Sequence, residues 1–303
     1  MLERSRVLLC VLGSVAAACL AQAQGVRRPS TASASVSLVA DSMHMTPLDR
    51  QRRVAIYLPP DYATSTRRYP VVYLQDGQNV FDGARAFAGE WGVDETLDSL
   101  HARTGLGVIV VAIDNDGRHR MDEYDPWRSA DTRLGGGEGR AYLDFIAQTL
   151  KPLIDARYRT RPEAAQTMLA GSSMGGLIAL AGALERPTVF GRAAIFSAAT
   201  WVARDSMLAL ARRAGRAKDR ARLWFVVGGE ETADDEPLHD QRAVVAALVA
   251  SGYVAGRDVV AIERPDGRHQ EWFWRGEFPH AILWFTRAAH RPRAGMTHPH
   301  RAP

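Results

Sequence analysis

The chain has 303 residues, 46% of them hydrophobic, which is enough for one or two domains with a sizeable core. Its 38 basic and 34 acidic residues leave a net charge of only +4. The basic residues are scattered, with no stripe of basic and aromatic residues, so we expect no nucleic-acid partner.

The first 23 residues have the pattern of a cleaved signal peptide. Arg4 and Arg6 precede an apolar run over residues 7–20, and residues 21–23 form an A-x-A site. Cleavage is therefore predicted after Ala23. A membrane anchor is the alternative, but the apolar run is shorter than the roughly 20 residues that a span needs, so no stable membrane insertion is expected.

Both cysteines of the chain, Cys10 and Cys19, lie in this segment. Cys19 raises the alternative of a lipoprotein, but Ala16 stands where such signals carry a large aliphatic residue. A chain that begins after Ala23 would have no thiol and no disulfide, so its stability would come from its core. These features favour a periplasmic or secreted bacterial enzyme.

Strand and helix patterns alternate along the rest of the chain. Residues 24–35 are rich in Ser, Ala and Arg and are predicted to be flexible. The predicted strands that follow are RRVAIYLP, YPVVYLQD, GVIVVAID, AQTMLAG, RAAIFSA, RLWFVVGG and DVVAIE. Most of them are continuous apolar runs, as expected of strands covered on both faces.

Two of the intervening patterns are clearly helical. They are GRAYLDFIAQTLKPLIDARY and DQRAVVAALVASG, the second of which ends at Gly252, a residue suited to a C-cap. The alternation predicts an α/β fold over residues 36–290, a single domain in which helices cover both faces of a mostly parallel central sheet. Residues 291–303, rich in Pro and His, are predicted to be disordered.

The stretch MLAGSSMGGLIAL places a serine where a strand turns into a helix. Residues 171–175 fit the pattern G-x-S-x-G with Ser173 at the centre, and this context is the one that a nucleophile elbow needs. The glycines leave room at the sharp turn, and the helix that follows directs its positive end toward the site. Centring the pattern on Ser172 would lose both glycines. The alternative is an incidental serine in a glycine-rich turn.

A serine hydroxyl is a poor nucleophile until a base takes its proton. His269 follows the last predicted strand, in RPDGRHQEWFW, and comes after Ser173 as the order Ser–acid–His requires. Seven of the other eight histidines precede the serine, fall in helical patterns or lie in or near the tail: His44, His101, His239, His280, His290, His298 and His300. We therefore predict that His269 is the base, with an ordinary loop histidine as the alternative.

The third member of a triad would be an acid after the strand RLWFVV. The candidates there are Glu230, Glu231, Asp234, Asp235 and Glu236. One carboxylate must reach the second ring nitrogen of His269, and the residues alone leave open which one does so. No adjacent pair of ligands has the spacing of a metal site, so no metal or other cofactor is expected.

The oxyanion hole is expected to combine two backbone amides. One is the amide of Met174, at the start of the helix after Ser173. The other would follow the early strand, where Asp76 leads into Gly77 and Gln78 and the glycine lets an N–H group approach the substrate. We predict Gln78 for this role, with Gly77 second.

Six stretches, taken in order, resemble the putative-esterase family of α/β-hydrolases: YLQDGQNVFD, AIDNDGRHRMDEYDPW, YLDFIAQTLKPLIDARYRT, GSSMGGL, VVGGEE and GRHQEWFW. They span Tyr69 to Phe285. The family includes siderophore, feruloyl and acetylxylan esterases, S-formylglutathione hydrolases and mycolyltransferases. The resemblance implies the α/β-hydrolase fold and a carboxylic-ester substrate.

The resemblance also implies site residues. The family's glycine–x–x–acid pattern selects Glu231 as the triad acid, and its His-x-Glu-x-x-Trp pattern matches His269, Glu271 and Trp274. One departure is Ala198 in FSAATW, where relatives carry proline. That departure bears on the local loop and the substrate pocket.

The sequence thus predicts an exported serine esterase that acts through an acyl-enzyme on a small-molecule ester, such as a siderophore ester or a feruloyl or acetyl-sugar ester. Acyl transfer to a sugar or lipid hydroxyl and a non-catalytic binding protein of the same fold are the alternatives. The oligomeric state is left open. Five tryptophans near the predicted active face are candidates for an aromatic pocket or for core packing: Trp91, Trp127, Trp201, Trp272 and Trp274.

Overall fold

The computed structural model describes residues 28–129 and 135–287. Its centre is an eight-stranded sheet in the order β1-β2-β4-β3-β5-β6-β7-β8. The strands are β1 (Val36–Met45), β2 (Arg50–Tyr57), β3 (Val71–Leu74), β4 (Ile109–Ile113), β5 (Thr167–Ser172), β6 (Arg192–Phe196), β7 (Arg222–Gly228) and β8 (Val259–Arg264). The β1–β2 and β2–β4 pairs are antiparallel, and every other pair is parallel. The predicted mostly parallel sheet is confirmed.

The helices of the described residues are α1 (Val93–Thr104), α2 (Arg120–Glu123), α3 (Gly139–Asp144), α4 (Lys151–Arg157), α5 (Met174–Glu185), α6 (Arg204–Ala214), α7 (Glu236–Ala250) and α8 (Glu271–Arg287). A π-helical segment, Phe145–Leu150, joins α3 to α4. Pro152, in the first turn of α4, has no N–H group to bond the carbonyl of Gln148, which accounts for the widened turn just before it. None of these helices is long and apolar enough to cross a membrane.

Alternate residues of each central strand point to opposite faces of the sheet and supply two cores. On β3, Val71 and Tyr73 belong to the core shared with α3 to α7, whereas Val72 and Leu74 belong to the core shared with α1 and α8. All four side chains are at most 1% exposed. Because helices cover both faces, β3 to β7 are apolar along most of their length, and this is why the sequence pattern identified them.

The edge strand β1 was not among the predicted strands. Most of its residues are exposed or half-buried, and its pairing with β2 shifts between Leu38 and Ala40 and again between Ala40 and Met43. These shifts break the simple alternation of buried and exposed residues by which an edge strand is recognised.

The N-terminal segment has a defined path from residue 28. Ser33 donates its amide to Asp94 at the start of α1 (2.7 Å), and the hydroxyl of Thr31 donates to Glu90 (2.6 Å). Residues 24–35 are predicted to be flexible, but these hydrogen bonds hold Thr31 and Ser33 against the rest of the fold. The predicted signal peptide, both cysteines and the predicted disordered tail lie outside the described residues.

Candidate active site

The predicted catalytic residues follow neighbouring strands of the sheet. Ser173 comes directly after β5, Glu231 three residues after β7 and His269 five residues after β8. Because β5, β6, β7 and β8 are adjacent and parallel, their carboxyl ends lie at one edge. This edge is where an open α/β sheet places its ligand site.

The turn at Ser173 is strained. Its φ of +55° and ψ of −123° are a conformation that residues with a β-carbon rarely adopt. A β-carbon on Gly171 would lie 2.6 Å from the carbonyl carbon of Gly175, and one on Gly175 would lie 3.0 Å from the side chain of Gln75. The flanking glycines therefore let the chain turn within one residue, and Ser173 caps the positive end of α5.

Glu231 and His269 are in direct contact. Nδ1 of His269 lies 2.9 Å from Oε2 of Glu231. The other carboxylate oxygen, Oε1, accepts hydrogen bonds from the amide of Gly228 at 2.7 Å and from the hydroxyl of Ser197. The Glu231 side chain is 1% exposed, whereas that of His269 is 36% exposed, so a buried carboxylate holds an imidazole that solvent can reach.

The neighbouring acids make other contacts. Glu230 pairs with the guanidinium of Arg268 at 2.7 and 2.9 Å. Asp234 accepts the amide of Glu236 (3.3 Å). Among the acids of this loop, and within the described residues, Glu231 is the one in hydrogen-bond contact with His269.

The side chains of Ser173 and His269 are not directly joined. Within residues 28–129 and 135–287, neither Oγ of Ser173 nor Nε2 of His269 makes a hydrogen bond. Such a bond is often long without substrate and forms in the substrate complex. The structure thus brings together Glu231 and His269 and places Ser173 at the same edge.

The predicted oxyanion loop begins with Asp76 in the left-handed conformation (φ +56°) and continues as a short 3-10 helix, Gly77–Asn79. The amides of Gly77 and Gln78 have no acceptor among the described residues, and neither has that of Met174, in the first turn of α5. The absence of an internal acceptor is a property that the predicted oxyanion hole requires of its donors. A β-carbon on Gly77 would lie 2.7 Å from the backbone of Ile113, so this glycine is also needed for packing on β4.

A polar network that the sequence analysis did not identify fixes this loop. The guanidinium of Arg120 donates twice to Asp76, at 2.7 and 2.9 Å, and the side-chain amide of Asn115 donates to it at 2.6 Å. Burial lowers the pKa of Arg120, but the Asp76 carboxylate outweighs this effect and the pKa ends above its usual value. The hydroxyl of Tyr124 accepts the amide of Asp76, and burial raises the pKa of that phenol well above its usual value.

A groove of about 310 Å³ opens beside this loop and is lined by Gln78, Phe87, Asn115, Gly117 and Arg120. Its volume is at the lower end of the range for small-molecule sites. Phe87 is 58% exposed and supplies an apolar wall. The groove therefore offers an aromatic surface, a guanidinium and the backbone amide of Gln78.

The five tryptophans divide into core and surface. Trp91 and Trp274 are 5% and 4% exposed and pack in the core under α8, and Trp127 is half-buried against the other core. Trp201 and Trp272 are 45% and 53% exposed. Core packing accounts for Trp91, Trp127 and Trp274. Trp201 and Trp272 remain as candidates for an aromatic pocket.

The sequence profile of the family described as "Putative esterase" matches residues 46–285. The chain belongs to this esterase family. The matched region contains β2 to β8, the elbow, Glu231 and His269. The resemblance stated from the six sequence stretches is thereby confirmed.

Several relatives are named proteins. YbbA of Bacillus subtilis, described as uncharacterized, is 28% identical over 244 residues, which are 77% of this chain and 92% of YbbA. An iron(III) salmochelin esterase of Escherichia coli is 31% identical over 155 residues, 50% of this chain and 33% of that longer protein. A siderophore triacetylfusarinine C esterase of Aspergillus fumigatus is 30% identical over 137 residues, 43% of this chain and 44% of that protein.

Solved structures share the fold. Enterochelin esterase from Shigella flexneri superposes with a TM-score of 0.67 at 22% identity, over 86% of this chain and 61% of that chain. An IroE-like serine hydrolase from Shewanella oneidensis superposes with a TM-score of 0.65 at 21% identity, over 82% of this chain and 80% of that chain. These likenesses confirm the predicted α/β-hydrolase fold.

Ala198 departs from the pattern of this esterase family, whereas Glu271 matches it. Ala198, which replaces the usual proline, packs against α5, since a β-carbon on Gly176 would lie 3.2 Å from it. The next residue, Ala199, donates its amide to the carbonyl of Ser173 (3.0 Å), so the loop remains tied to the elbow. Glu271 is half-buried near His269, and its loss of solvation raises its pKa to about 7.

Proposed function

We propose that this protein is an exported serine esterase that hydrolyses a carboxylic ester through an acyl-enzyme on Ser173. The observation that carries the proposal is the contact of 2.9 Å between Glu231 and His269 at the same sheet edge as the strained elbow. A loop histidine with no catalytic role would not need a buried carboxylate on Nδ1.

The reaction would proceed in two halves. In the first, Oγ of Ser173 attacks the acyl carbon, Nε2 of His269 takes the hydroxyl proton, and the same proton then passes to the leaving alkoxide as the C–O bond breaks. In the second, water attacks the acyl-enzyme and gives its proton to His269, which returns it to Ser173 as the acid leaves. Glu231 keeps the Nδ1 proton on the imidazole and stabilises the imidazolium.

The oxyanion of both tetrahedral intermediates would be stabilised by the amides of Met174 and Gln78, with that of Gly77 close by. Preorganised donors of this kind contribute about 3–4 kcal/mol each to transition-state stabilisation. The network of Asp76, Arg120 and Asn115 keeps the loop that carries Gln78 and Gly77 in place.

The proposed substrate is a small ester with an aromatic or polar acyl group, such as a siderophore ester or a feruloyl or acetyl-sugar ester. The relatives named as salmochelin and triacetylfusarinine C esterases support this class. The groove beside Gln78, whose lining includes Phe87 and Arg120, supports it as well.

The test uses a fluorophosphonate probe and a simple aryl ester. We expect the probe to label Ser173, and Ser173→Ala to lower turnover by up to about a millionfold without changing the melting temperature. Ser172→Ala, in the neighbouring buried serine, is the matched control and should remain active. An inactive Ser172 variant beside an active Ser173 variant would show that Ser172, not Ser173, is the nucleophile.

Product analysis with an added alcohol acceptor separates hydrolysis from acyl transfer, because only transfer yields a new ester. A folded protein that neither reacts with the probe nor hydrolyses aryl, feruloyl or catecholate-siderophore esters would favour a binding protein.

Export is tested on protein recovered from the periplasm or medium. The exported chain should begin near Gln24, and its denatured form should contain no thiol, since residues 24–303 include no cysteine. N-terminal sequencing and thiol titration measure the two properties. A retained Cys19 that carries lipid would contradict the proposal.

A further inference from the structure

Ser197 is a buried, strained residue between the elbow and the acid loop. It follows β6, which lies between β5 and β7 in the sheet. It is 1% exposed, and its φ of +45° is in the left-handed region that residues other than glycine seldom adopt. Its amide donates to the carbonyl of Val226 at 2.8 Å, so the strained backbone is held from β7. Strain of this kind persists where surrounding contacts over-determine it.

The hydroxyl of Ser197 has a fixed polarity. The indole Nε1 of Trp274 lies 2.9 Å from Oγ of Ser197 and can only donate a hydrogen bond. Oγ therefore accepts from Trp274 and directs its own hydrogen to Oε1 of Glu231.

The two donors on Oε1 decide how Glu231 meets His269. The amide of Gly228 and the hydroxyl of Ser197 occupy Oε1, which leaves Oε2 for Nδ1 of His269. Trp274 contacts both Ser197 and His269. Its ring packs edge-on against the His269 ring, with centroids 5.0 Å apart and planes at 86°. Four side chains thus form a closed ring of contacts in which acid and base are each held from outside.

We infer that Ser197 and Trp274 are positioning residues for the Glu231–His269 pair: Ser197 orients the carboxylate, and Trp274 holds both the Ser197 hydroxyl and the plane of the imidazole. The inference rests on the proposed triad. Ser197 does not touch the substrate in this role, because it is buried beneath Glu231.

Ser197→Ala removes the hydroxyl and retains the β-carbon. We expect kcat on the aryl ester to fall by about ten- to hundredfold, the size of effect seen when outer partners of metal-binding histidines are removed, with KM unchanged. Ser172 is 6% exposed and is the last residue of β5. Ser172→Ala is therefore the control for loss of a buried serine hydroxyl at this sheet edge and should keep the wild-type kcat. Trp274→Phe keeps most of the ring and removes the indole N–H, so it should lower kcat in the same direction.

A proton NMR signal provides a readout that a merely structural role would not change. The Nδ1 proton of His269, shared with a carboxylate, should resonate far downfield and be identified by its loss in Glu231→Gln. Ser197→Ala should shift or broaden this signal, and Ser172→Ala should not. An unchanged signal together with an unchanged kcat in Ser197→Ala would overturn the inference.

Ser197→Gly distinguishes hydroxyl from strain. Glycine adopts φ of +45° freely, so this variant should melt no lower than Ser197→Ala and should lose kcat equally. Wild-type kcat in Ser197→Gly would show that backbone strain, not the hydroxyl, is what matters, and would also overturn the inference. Failure of the triad itself would be seen separately, as an unlabelled Ser173 in the wild-type protein.

Discussion

Two adjacent glutamates, Glu230 and Glu231, have opposite environments in the bend that follows β7. Glu231 turns inward to Gly228, Ser197 and His269, whereas Glu230 turns outward to Arg268. Both residues are glutamates, so the direction in which each side chain points, and not the residue type, determines which partners it contacts.

Glu231→Gln should lower turnover of an aryl ester by about ten-thousandfold, the size of loss found when a triad aspartate becomes an amide in a serine protease. The amide cannot stabilise the imidazolium and favours the wrong tautomer of His269. Glu230→Gln, which removes only an exposed ion pair, should remain near wild-type activity. Steady-state kinetics of both variants, with thermal melting to verify folding, make the comparison. An inactive, folded Glu230 variant beside an active Glu231 variant would reverse the assignment.

At the scale of elements, the site depends on one turn between β5 and α5. The strand ends at Ser172 and the helix begins at Met174, so Ser173 alone makes the reversal. This geometry requires the backbone of Gly171 to lie against that of Gly175. The sharpness of the turn is what presents the hydroxyl of Ser173 above the sheet.

Gly171→Ala should destabilise the fold by about 1–3 kcal/mol, the cost of overpacking a close contact, because its β-carbon would lie 2.6 Å from backbone atoms that cannot move independently. Activity should fall as well, since relief of the clash displaces the elbow. The measurement is the free energy of unfolding in urea, together with turnover.

Gly276→Ala is the matched control. Gly276 lies inside α8, and a β-carbon added to it would meet no neighbouring atom within 4 Å, so alanine should stabilise the helix by up to about 1 kcal/mol. Equal destabilisation by the two substitutions would show that the close packing of the elbow is not the cause.

At the scale of the whole molecule, buried charge ties distant parts of the chain to the site edge. Glu123 is fully buried and pairs with Arg52 of β2 at 2.7 Å and with Arg50 at 2.9 Å. These pairs fix α2, and α2 begins with Arg120, the partner of Asp76. The antiparallel side of the sheet thereby supports the loop that carries Gln78.

The burial of Glu271 predicts a dependence of stability on pH. Its pKa is about 7 in the folded protein and 4.5 without the fold, so the folded state holds a proton that the unfolded state loses between these values. The folded state is therefore disfavoured as pH rises from about 4.5 to 7, and the loss is complete above 7. Glu271→Gln removes this dependence.

The difference in melting temperature, Glu271→Gln minus wild type, should accordingly increase from pH 4.5 to pH 7 and then level. Asp94, whose pKa burial also raises to about 7, acts in the same direction in both proteins and cancels in the difference. A difference that is constant with pH, or that decreases as pH rises, would contradict the prediction.

The sequence by itself determined the parts of this protein whose signal is local. Strands β3 to β7 are largely apolar because helices cover both faces of the sheet, and β2 and β8 each contain a shorter apolar run. Ser173 stands out because its turn requires glycines within two residues. His269 could be selected by its place after the last strand. The choice of Glu231 over Glu230 came from family resemblance, since no periodicity distinguishes adjacent residues of a loop.

Only the tertiary structure decided the contacts that join remote segments. Arg120 lies 44 residues from Asp76, and Trp274 lies 77 residues from Ser197. Neither pair leaves a pattern along the chain, because the order of strands in the sheet, not the sequence between them, sets these distances. The edge strand β1 was missed for a related reason: its pairing and burial are irregular, and only its partner β2 makes it a strand.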